Sequence, residues 1–392
     1  MTGNHAVLSA SGAEKWLNCP PSVRLEENEP EKFSVYAEEG TLAHELGELK
    51  ARKHFIEGIG HQTYIKKVAE IQKKLEVLKD KALSKQTQEP ENFTQMDRYT
   101  DDYLQYLKDC ALRYPSKPYI ALEKQVNYNL YVPDGFGTCD AIMIHEDEMR
   151  IIDLKYGKGV PKDAKHNPQL MLYALGALTE FQMLFPIKKI ILAIFQPRID
   201  YSNEWETTAE DIFAFGEAIK PIAEKAFNGE GEYKSGDHCR FCKVSAHCRK
   251  RAEEIVKVFD KPQKNPALLS DSEIGEMLGK VDELTNWASK LKQYALEQIL
   301  TGREIEGWKA VEGRAIRAFT DTDAAFSAII SAGTPEEMLY ERKPLTLAQI
   351  EKMLGKKEFA SIAGNFISFP QGKPTLVPNT DKRPAISIKK NI

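Results

Sequence analysis

Residues 137–157 read GTCDAIMIHEDEMRIIDLKYG. Two runs rich in branched and apolar residues, 138–145 and 149–157, flank a polar turn at 145–148, which predicts a pair of adjacent strands. A further run, YIALEKQVN at 119–127, precedes them. Three strands in succession predict an antiparallel meander. Working outward, 168–184 has helical periodicity, and KKIILAIFQP at 188–197 is a near-continuous apolar run. Such a run is expected of a strand buried on both faces. The order helix, three strands, helix, strand predicts an α/β fold: a mixed central sheet flanked by helices.

Upstream, the first 60 residues hold two helical stretches joined by a polar link rich in Pro and Glu. The second is AEEGTLAHELGELKARKHF. Residues 62–85 carry Ile65, Val68, Ile71, Leu75 and Leu78 at three- and four-residue steps, an amphipathic helix. Its Lys66, Lys67, Lys73 and Lys74 read as a solvated face. A break at 86–92 precedes a helix with Phe93, Met96, Tyr103, Leu107 and Cys110, so 62–115 is a helical insertion. Downstream, 208–227 is helical and 234–251 is basic and bears cysteines. KPQKNP (261–266) reads as a domain boundary. SDSE (270–273) then matches a capping box opening a long helix, continued by Ile274, Met277, Val281, Leu284, Ala288 and Leu291. A hairpin at 306–319 and helices near 322–331 and 346–363 complete a mainly helical C-terminal accessory domain, 267–369. The tail, 370–392, is Pro-rich and basic.

Composition narrows the function classes. The 392 residues are 42% hydrophobic and 29% charged, the signature of a globular chain and not of a disordered one. No apolar run approaches the roughly 18 residues of a membrane span, and MTGNHAVLSASGAEKW lacks a signal-peptide layout. A cytoplasmic protein is the expectation, and there cysteines serve as metal ligands or buried thiols more often than as disulfides. The net charge of −4 argues against binding nucleic acid through global charge. The imbalance is local: residues after 260 have 19 basic against 17 acidic groups, and the rest have 35 against 41.

Asp140 and Asp153 fall on neighbouring strands. Asp153 and Lys155 are two apart and so share a strand face. Paired carboxylates suit a hard cation such as Mg²⁺, and the Leu154 carbonyl adds a further oxygen. Lys155 sits among Ile151, Ile152 and Leu154, where a solvated lysine is unexpected. An ammonium beside a metal-bound phosphate stabilises developing charge or holds a water. The plainer alternative is a same-face ion pair on a half-exposed strand. Gln169 and Tyr173, four apart, share a face of the next helix, either to orient a nucleotide or water or as an ordinary polar edge. His44 on its helix is either structural or a ligand. Cys239 and Cys242 form a C-x-x-C, with Cys248 following. Three cysteines leave one ligand of a tetrahedral site to be found among Cys19, His238 and His247. Cys110 and Cys139 read as buried thiols, and spacing alone does not choose zinc over iron–sulfur.

Taken in order, these motifs resemble the PD-(D/E)XK nuclease superfamily. The likeness is to RecB-like exonucleases with an iron–sulfur staple, such as the AddB nuclease domain and the CRISPR-adaptation exonucleases. The elements are Cys19; GTLAH ending at His44; GTCD ending at Asp140; DLK, Asp153 to Lys155; QLMLY, Gln169 to Tyr173; and Cys239, Cys242 and Cys248. They span residues 9–250. SASGAEKWLNCPPS and the GKPTLVP tail also look like a family of phage and prophage nuclease-like proteins. The resemblance implies a restriction-endonuclease-like core over residues 1–260. It implies Mg²⁺ or Mn²⁺ on His44, Asp140, Asp153 and the Leu154 carbonyl. Lys155 would activate water, with Gln169 and Tyr173 completing the catalytic set. Cys19 would join Cys239, Cys242 and Cys248 around a 4Fe–4S cluster, with zinc as the lesser candidate. Arg240, Lys243, Arg249 and Lys250 would then contact phosphate. Many relatives carry Glu where Asp153 stands.

The expected function is therefore a metal-dependent DNA exonuclease in phage-type recombination, repair or replication. It would act on single strands or DNA ends, in company with an annealing or single-strand-binding protein. The alternatives are a non-catalytic DNA-binding or assembly module on the same fold, and a zinc-stapled interaction protein. Beyond 260, Trp308, Lys309, Arg314 and Arg317 put an aromatic and cations on one expected hairpin.

Overall fold

The computed structural model describes residues 6–30, 33–56, 58–85, 87–159, 161–257, 271–311, 322–332 and 355–363, with the single positions 335, 336, 339 and 350. The elements in chain order are α1 (Ala13–Asn18), α2 (Ser22–Leu25), α3 (Val35–Phe55), α4 (His61–Ser84), α5 (Phe93–Leu112), β1 (Tyr119–Asn127), β2 (Phe136–His145), β3 (Glu148–Leu154), α6 (Pro168–Phe181), β4 (Lys189–Gln196), β5 (Tyr201–Thr208), α7 (Ala209–Asn228), α8 (Arg249–Lys257), α9 (Asp271–Leu300), α10 (Thr322–Ser331) and α11 (Lys356–Ala363). The fold is mixed α/β with a five-stranded sheet ordered β1-β2-β3-β4-β5. The β1–β2, β2–β3 and β4–β5 pairs are antiparallel, and β3–β4 is parallel. A parallel pair needs a crossover, which α6 supplies.

Each sheet face is covered. On one, α6 and α7 pack over Cys139, Ile142, Ile144, Met149, Ile151, Ile190, Leu192 and Ile194, with Trp16 of α1 inserted. On the other, Ala51 of α3 and Tyr103 and Leu107 of α5 cover Ala141, Met143, Ile152, Leu154 and Ala193. The predicted doubly buried strand is thus β4. The helical insertion forms its own apolar cluster: Leu42 and Leu46 of α3, Ile71, Leu75 and Leu78 of α4, and Met96 of α5. The four α4 lysines face solvent.

Three expectations shift. First, β3 ends at Leu154 and not at 157, so Lys155 stands just past the strand, its N–H donating to the Phe195 carbonyl at 2.9 Å. Second, α6 ends at Phe181. The apolar Met183 and Leu184 that extend the sequence pattern are exposed. Third, β5 has no counterpart in the sequence reading. Among the described residues it pairs only with β4, and it carries few apolar residues, so backbone pairing defines it more than an apolar stripe does.

Contacts divide the chain into two units: Met1–Ser270 with Lys280–Tyr294, and Asp271–Gly279 with Ala295–Ile392. The middle of α9 therefore belongs with the first unit. In the second, α10 forms over 322–331 as expected, and an isolated bridge joins Ile305 to Trp308. The boundary at 261–266, Ser270, Arg314, Arg317, most of the expected hairpin, part of the 346–363 helix and the 370–392 tail lie outside the described residues. No helix among the described residues is long and apolar enough to cross a membrane.

Candidate metal centre

The centre forms where two ladders lose regularity side by side. Pairing of β2 with β3 runs from His145↔Glu148 to Ala141↔Ile152 and stops. The next step would set Asp140 opposite Asp153. Instead, Asp140 Oδ2 accepts the Leu154 N–H at 2.6 Å, so a carboxylate does the work of a backbone carbonyl. On the other side, β1 and β2 pair at Leu122↔Ala141 and Lys124↔Cys139, with Glu123 facing Asp140 between them. Glu123 has φ +46°, a left-handed conformation rare outside glycine. Strand parity changes there: Leu122 packs toward α5, but Val126, also even-numbered, packs toward α6. Glu123, Asp140 and Asp153 thus form one row across three strands.

Groups from the helices converge on this row. Ser34 caps α3, its hydroxyl accepting the Ala37 N–H, and α3 brings His44 Nδ1 to 3.3 Å from Asp140 Oδ1. One donor atom each from His44, Glu123 and Asp140 lies within 4.8 Å of the others. Asn167 caps α6 by accepting the Gln169 and Leu170 N–H groups, and Pro168 fixes its first turn. Gln169 is thereby set at the helix start. Its Nε2 donates to Asp153 Oδ1 at 3.0 Å and to the Tyr173 hydroxyl at 3.1 Å. Its Oε1 accepts from Lys155 Nζ at 2.9 Å. Lys155 Nζ is also 2.8 Å from Asp153 Oδ2, although that buried oxygen receives no well-directed hydrogen bond. Tyr173 is buried with its ring against Gly137, where a Cβ would fall 2.8 Å from Cε1.

Crowded carboxylates share too little positive charge to be ionised together at low cost. Burial and the Asp140 charge push Glu123 up to about 8, against opposing pulls from His44 and Arg52. Burial would lower His44, but Asp140 beside it outweighs this and holds the imidazole up to about 9. Burial also raises Asp140, yet His44, the Leu154 N–H and Lys155 leave it below the ordinary carboxylate range. Asp153, with burial and Asp140 against Lys155, stands above that range. Burial pushes the Tyr173 phenol far up, so it serves here as a neutral hydroxyl.

The structure therefore brings together His44, Asp140, Asp153, Leu154, Lys155, Gln169 and Tyr173, and adds Glu123. Lys155 keeps partial solvent access at 29% side-chain exposure. Glu48, one turn from His44, contributes to the negative field on Glu123 and pairs with Arg52.

A second cluster lies at the end of α1. Cys19 is buried, and its thiol is raised by burial and by the nearby Cys239 and Cys248. Cys242 turns toward Glu26, and burial and that carboxylate raise it to about 12. Glu26 also accepts the Lys243 N–H at 2.6 Å and pairs with Lys15, tying the C-x-x-C loop to α1 and α2. The alternative ligands are engaged elsewhere: His238 Nε2 bonds the Lys234 carbonyl at 2.9 Å, and His247 stacks on Tyr294 near Glu29. Beneath the loop, buried Arg251 donates to the Cys239 carbonyl at 3.2 Å. Cys110 and Cys139 are fully buried, Cys139 Sγ lying 3.5 Å from the Ala141 carbonyl. Arg240, Lys243 and Arg249 are exposed, whereas Lys250 pairs with Glu254 at 2.9 Å.

Among solved structures, the chain is similar to one titled "Crystal structure of SSO0001", at 17% identity and a TM-score of 0.22, covering 61% of this chain and 96% of that one. The family described as "Protein of unknown function (DUF2800)" matches residues 5–384, nearly the whole chain, and the protein belongs to that family.

Proposed function

We propose that the protein is a Mg²⁺- or Mn²⁺-dependent deoxyribonuclease that hydrolyses phosphodiester bonds, acting as an exonuclease in phage-type DNA metabolism. The observation that carries the reading is the row Glu123–Asp140–Asp153, with His44 above it and Lys155 beside it. Such a row repels itself unless protons or a cation neutralise it. The donor set fits a divalent cation: the His44 imidazole with the Glu123 and Asp140 carboxylates, and beside them a buried Asp153 oxygen without a well-directed hydrogen bond. His44, Glu123, Asp140 and Asp153 would hold it, with the Leu154 carbonyl as a further oxygen. When bound, such a cation supplies Lewis acidity toward a phosphate oxygen.

The remaining chemistry falls to the chain. Lys155 Nζ, pinned between Asp153 and Gln169, is presented as a charged donor to the attacking water and to the phosphate. Gln169 fixes both Lys155 and Asp153 and is itself held by Tyr173, so the lysine position depends on the α6 start. Cys19, Cys239, Cys242 and Cys248 are proposed to hold a 4Fe–4S cluster. It would close the long loop between α1 and the 239–248 segment and present Arg240, Lys243 and Arg249 to phosphate.

End-labelled single- and double-stranded DNA incubated with Mg²⁺ or Mn²⁺ tests the reading. Wild type should degrade DNA, and Asp153→Ala should lose at least 100-fold in rate, the order of a removed transition-state contact. Equal inertness of the two proteins refutes it.

A further inference from the structure

The C-x-x-C loop displays a side chain that the metal centre does not use. Phe241 lies between Cys239 and Cys242 in sequence, and 67% of it is exposed. Two cations sit near its ring. Lys162 Nζ is 5.7 Å from the ring centroid and the Arg240 guanidinium is 5.8 Å from it. Among the described residues, neither cation has a carboxylate within ion-pair distance, and the same holds for Lys243 and Arg249. Lys158 and Lys250, by contrast, are paired with Glu91 and Glu254.

Exposing a phenylalanine ring costs free energy in proportion to its apolar area, and the loop that does so is anchored. Cys242 N–H donates to the Cys239 carbonyl, Lys243 N–H to Glu26, and the Arg240 carbonyl accepts from Lys290 at 2.9 Å. The backbone is tied down, and the ring is still left outside.

The facing loop is tied to the metal centre. The Lys162 N–H donates to Oε1 of buried Gln196 at 2.6 Å. Gln196 ends β4, directly after Phe195, which pairs with Leu154 and accepts the Lys155 N–H. The segment from Lys155 to Lys162 is thus fixed at both ends to the last two residues of β4. Phe241 and Lys162 meet at the end of the sheet that carries Asp153 and Lys155.

We propose that Phe241, flanked by Lys162 and Arg240, is a stacking platform for an unpaired base of single-stranded DNA, with Lys243 and Arg249 continuing the contact to its phosphates. This rests on DNA being the substrate and specifies the form that is held. An aromatic face flanked by unpaired cations is the chemistry that holds single strands without sequence preference. A base inside a duplex has both faces covered by its neighbours, so the platform favours unpaired ends.

The test is fluorescence anisotropy with a labelled oligo-dT strand and a labelled blunt hairpin, in EDTA so that hydrolysis does not intervene. Phe241→Ala should weaken oligo-dT binding about 5- to 150-fold, the range for one stacked base, and leave hairpin binding nearly unchanged. Phe241→Trp should restore it. Lys162→Ala should lower the slope of log affinity against log salt by about 0.7, one phosphate contact on a single strand. Bound iron in each variant, measured alongside, reports whether the loop is intact. Equal oligo-dT affinity of wild type and Phe241→Ala at equal iron content overturns the proposal, as does equal loss on strand and hairpin, or no binding by wild type. A protein that binds through Phe241 but is inert in the Asp153→Ala comparison would refute the nuclease reading and leave the platform standing.

Discussion

Replacing Glu123 by Gln separates a structural carboxylate from one reserved for a cation. In the metal-free protein Glu123 is held up to about 8 against an ordinary 4.5. An acid whose folded-state value is raised contributes nothing below pH 4.5, where both states are protonated. From there to about 8 the unfolded chain ionises first and stability is lost; above 8 the full cost is present. At pH 7 the interval from 4.5 corresponds to at most about 3 kcal/mol. Glu123 keeps partial solvent access, and Gln forgoes its attraction to His44 and Arg52, so about 1–2 kcal/mol is the expected gain. Urea unfolding followed by tryptophan fluorescence measures it, with Trp16 buried in the core of the first unit. In EDTA at pH 7, Glu123→Gln should be the more stable protein, and the difference should vanish near pH 4. Manganese should offset that gain by favouring wild type. At 100 times its dissociation constant, Mn²⁺ stabilises wild type by about 2.7 kcal/mol. Loss of one ligand should weaken the ion at least 10- to 100-fold, leaving about 0.4–1.4 kcal/mol for the variant at the same concentration. A variant no more stable than wild type in EDTA, with an equal Mn²⁺ increment, refutes the assignment of Glu123 to the centre.

Three further outcomes follow from other contacts. Cys19→Ser, prepared anaerobically, should lose bound iron and unfold at lower urea because metal binding is folding energy, whereas Cys110→Ser should keep its iron; iron lost from His247→Ala instead would move the fourth ligand. Gly137→Ala puts a Cβ 2.8 Å from the Tyr173 ring, so it should cost about 1–3 kcal/mol by overpacking and slow DNA hydrolysis through displaced Gln169; unchanged rate and stability would show that Tyr173 has room. Glu204→Gln leaves Arg150, whose side chain is 3% exposed, with the more distant Glu148 carboxylate at 3.8 Å in place of Glu204 at 2.9 Å, at about 3 kcal/mol. Despite burial, Arg150, Tyr106 and Arg113 hold Glu204 below its ordinary range, so the wild-type advantage should persist at neutral pH and shrink as pH falls through that lowered value. A gap constant from pH 7 to 3 contradicts this.

Periodicity revealed what apolar burial enforces. The residues of α3 to α6, β1 to β4 and α7 recur at helical or strand spacing because each has a face in one of the three apolar clusters. What periodicity missed has little of such a face: of β5, Trp205 packs against the core at partial burial. The edge strand β5, YSNEWETT, gains its conformation from pairing with β4, and an edge strand needs little apolar surface. The end of α6 was overrun for the opposite reason: Met183 and Leu184 extend the pattern, but chain reversal leaves them exposed.

The site follows the same division. His44, Asp140, Asp153, Lys155 and Gln169 were visible because each stands in a short, ordered motif. Glu123 was not, because strand alternation treats it as one polar position in YIALEKQVN. Its signal lay in register. Antiparallel partners keep a constant sum of residue numbers, so the pairing that joins Leu122 to Ala141 also sets Glu123 against Asp140. The pairing that joins Ala141 to Ile152 points Asp140 at Asp153. Three acids on one line across a buried sheet are unstable as ordinary strand residues. The backbone records that conflict twice, in the left-handed Glu123 and in the Asp140 carboxylate that replaces a carbonyl at the Leu154 N–H. A sheet that gives up regular pairing at the same step in two adjacent ladders concentrates carboxylate oxygens there, and the ion pair of Asp153 with Lys155 alone does not account for a distortion that also involves Glu123 and Asp140.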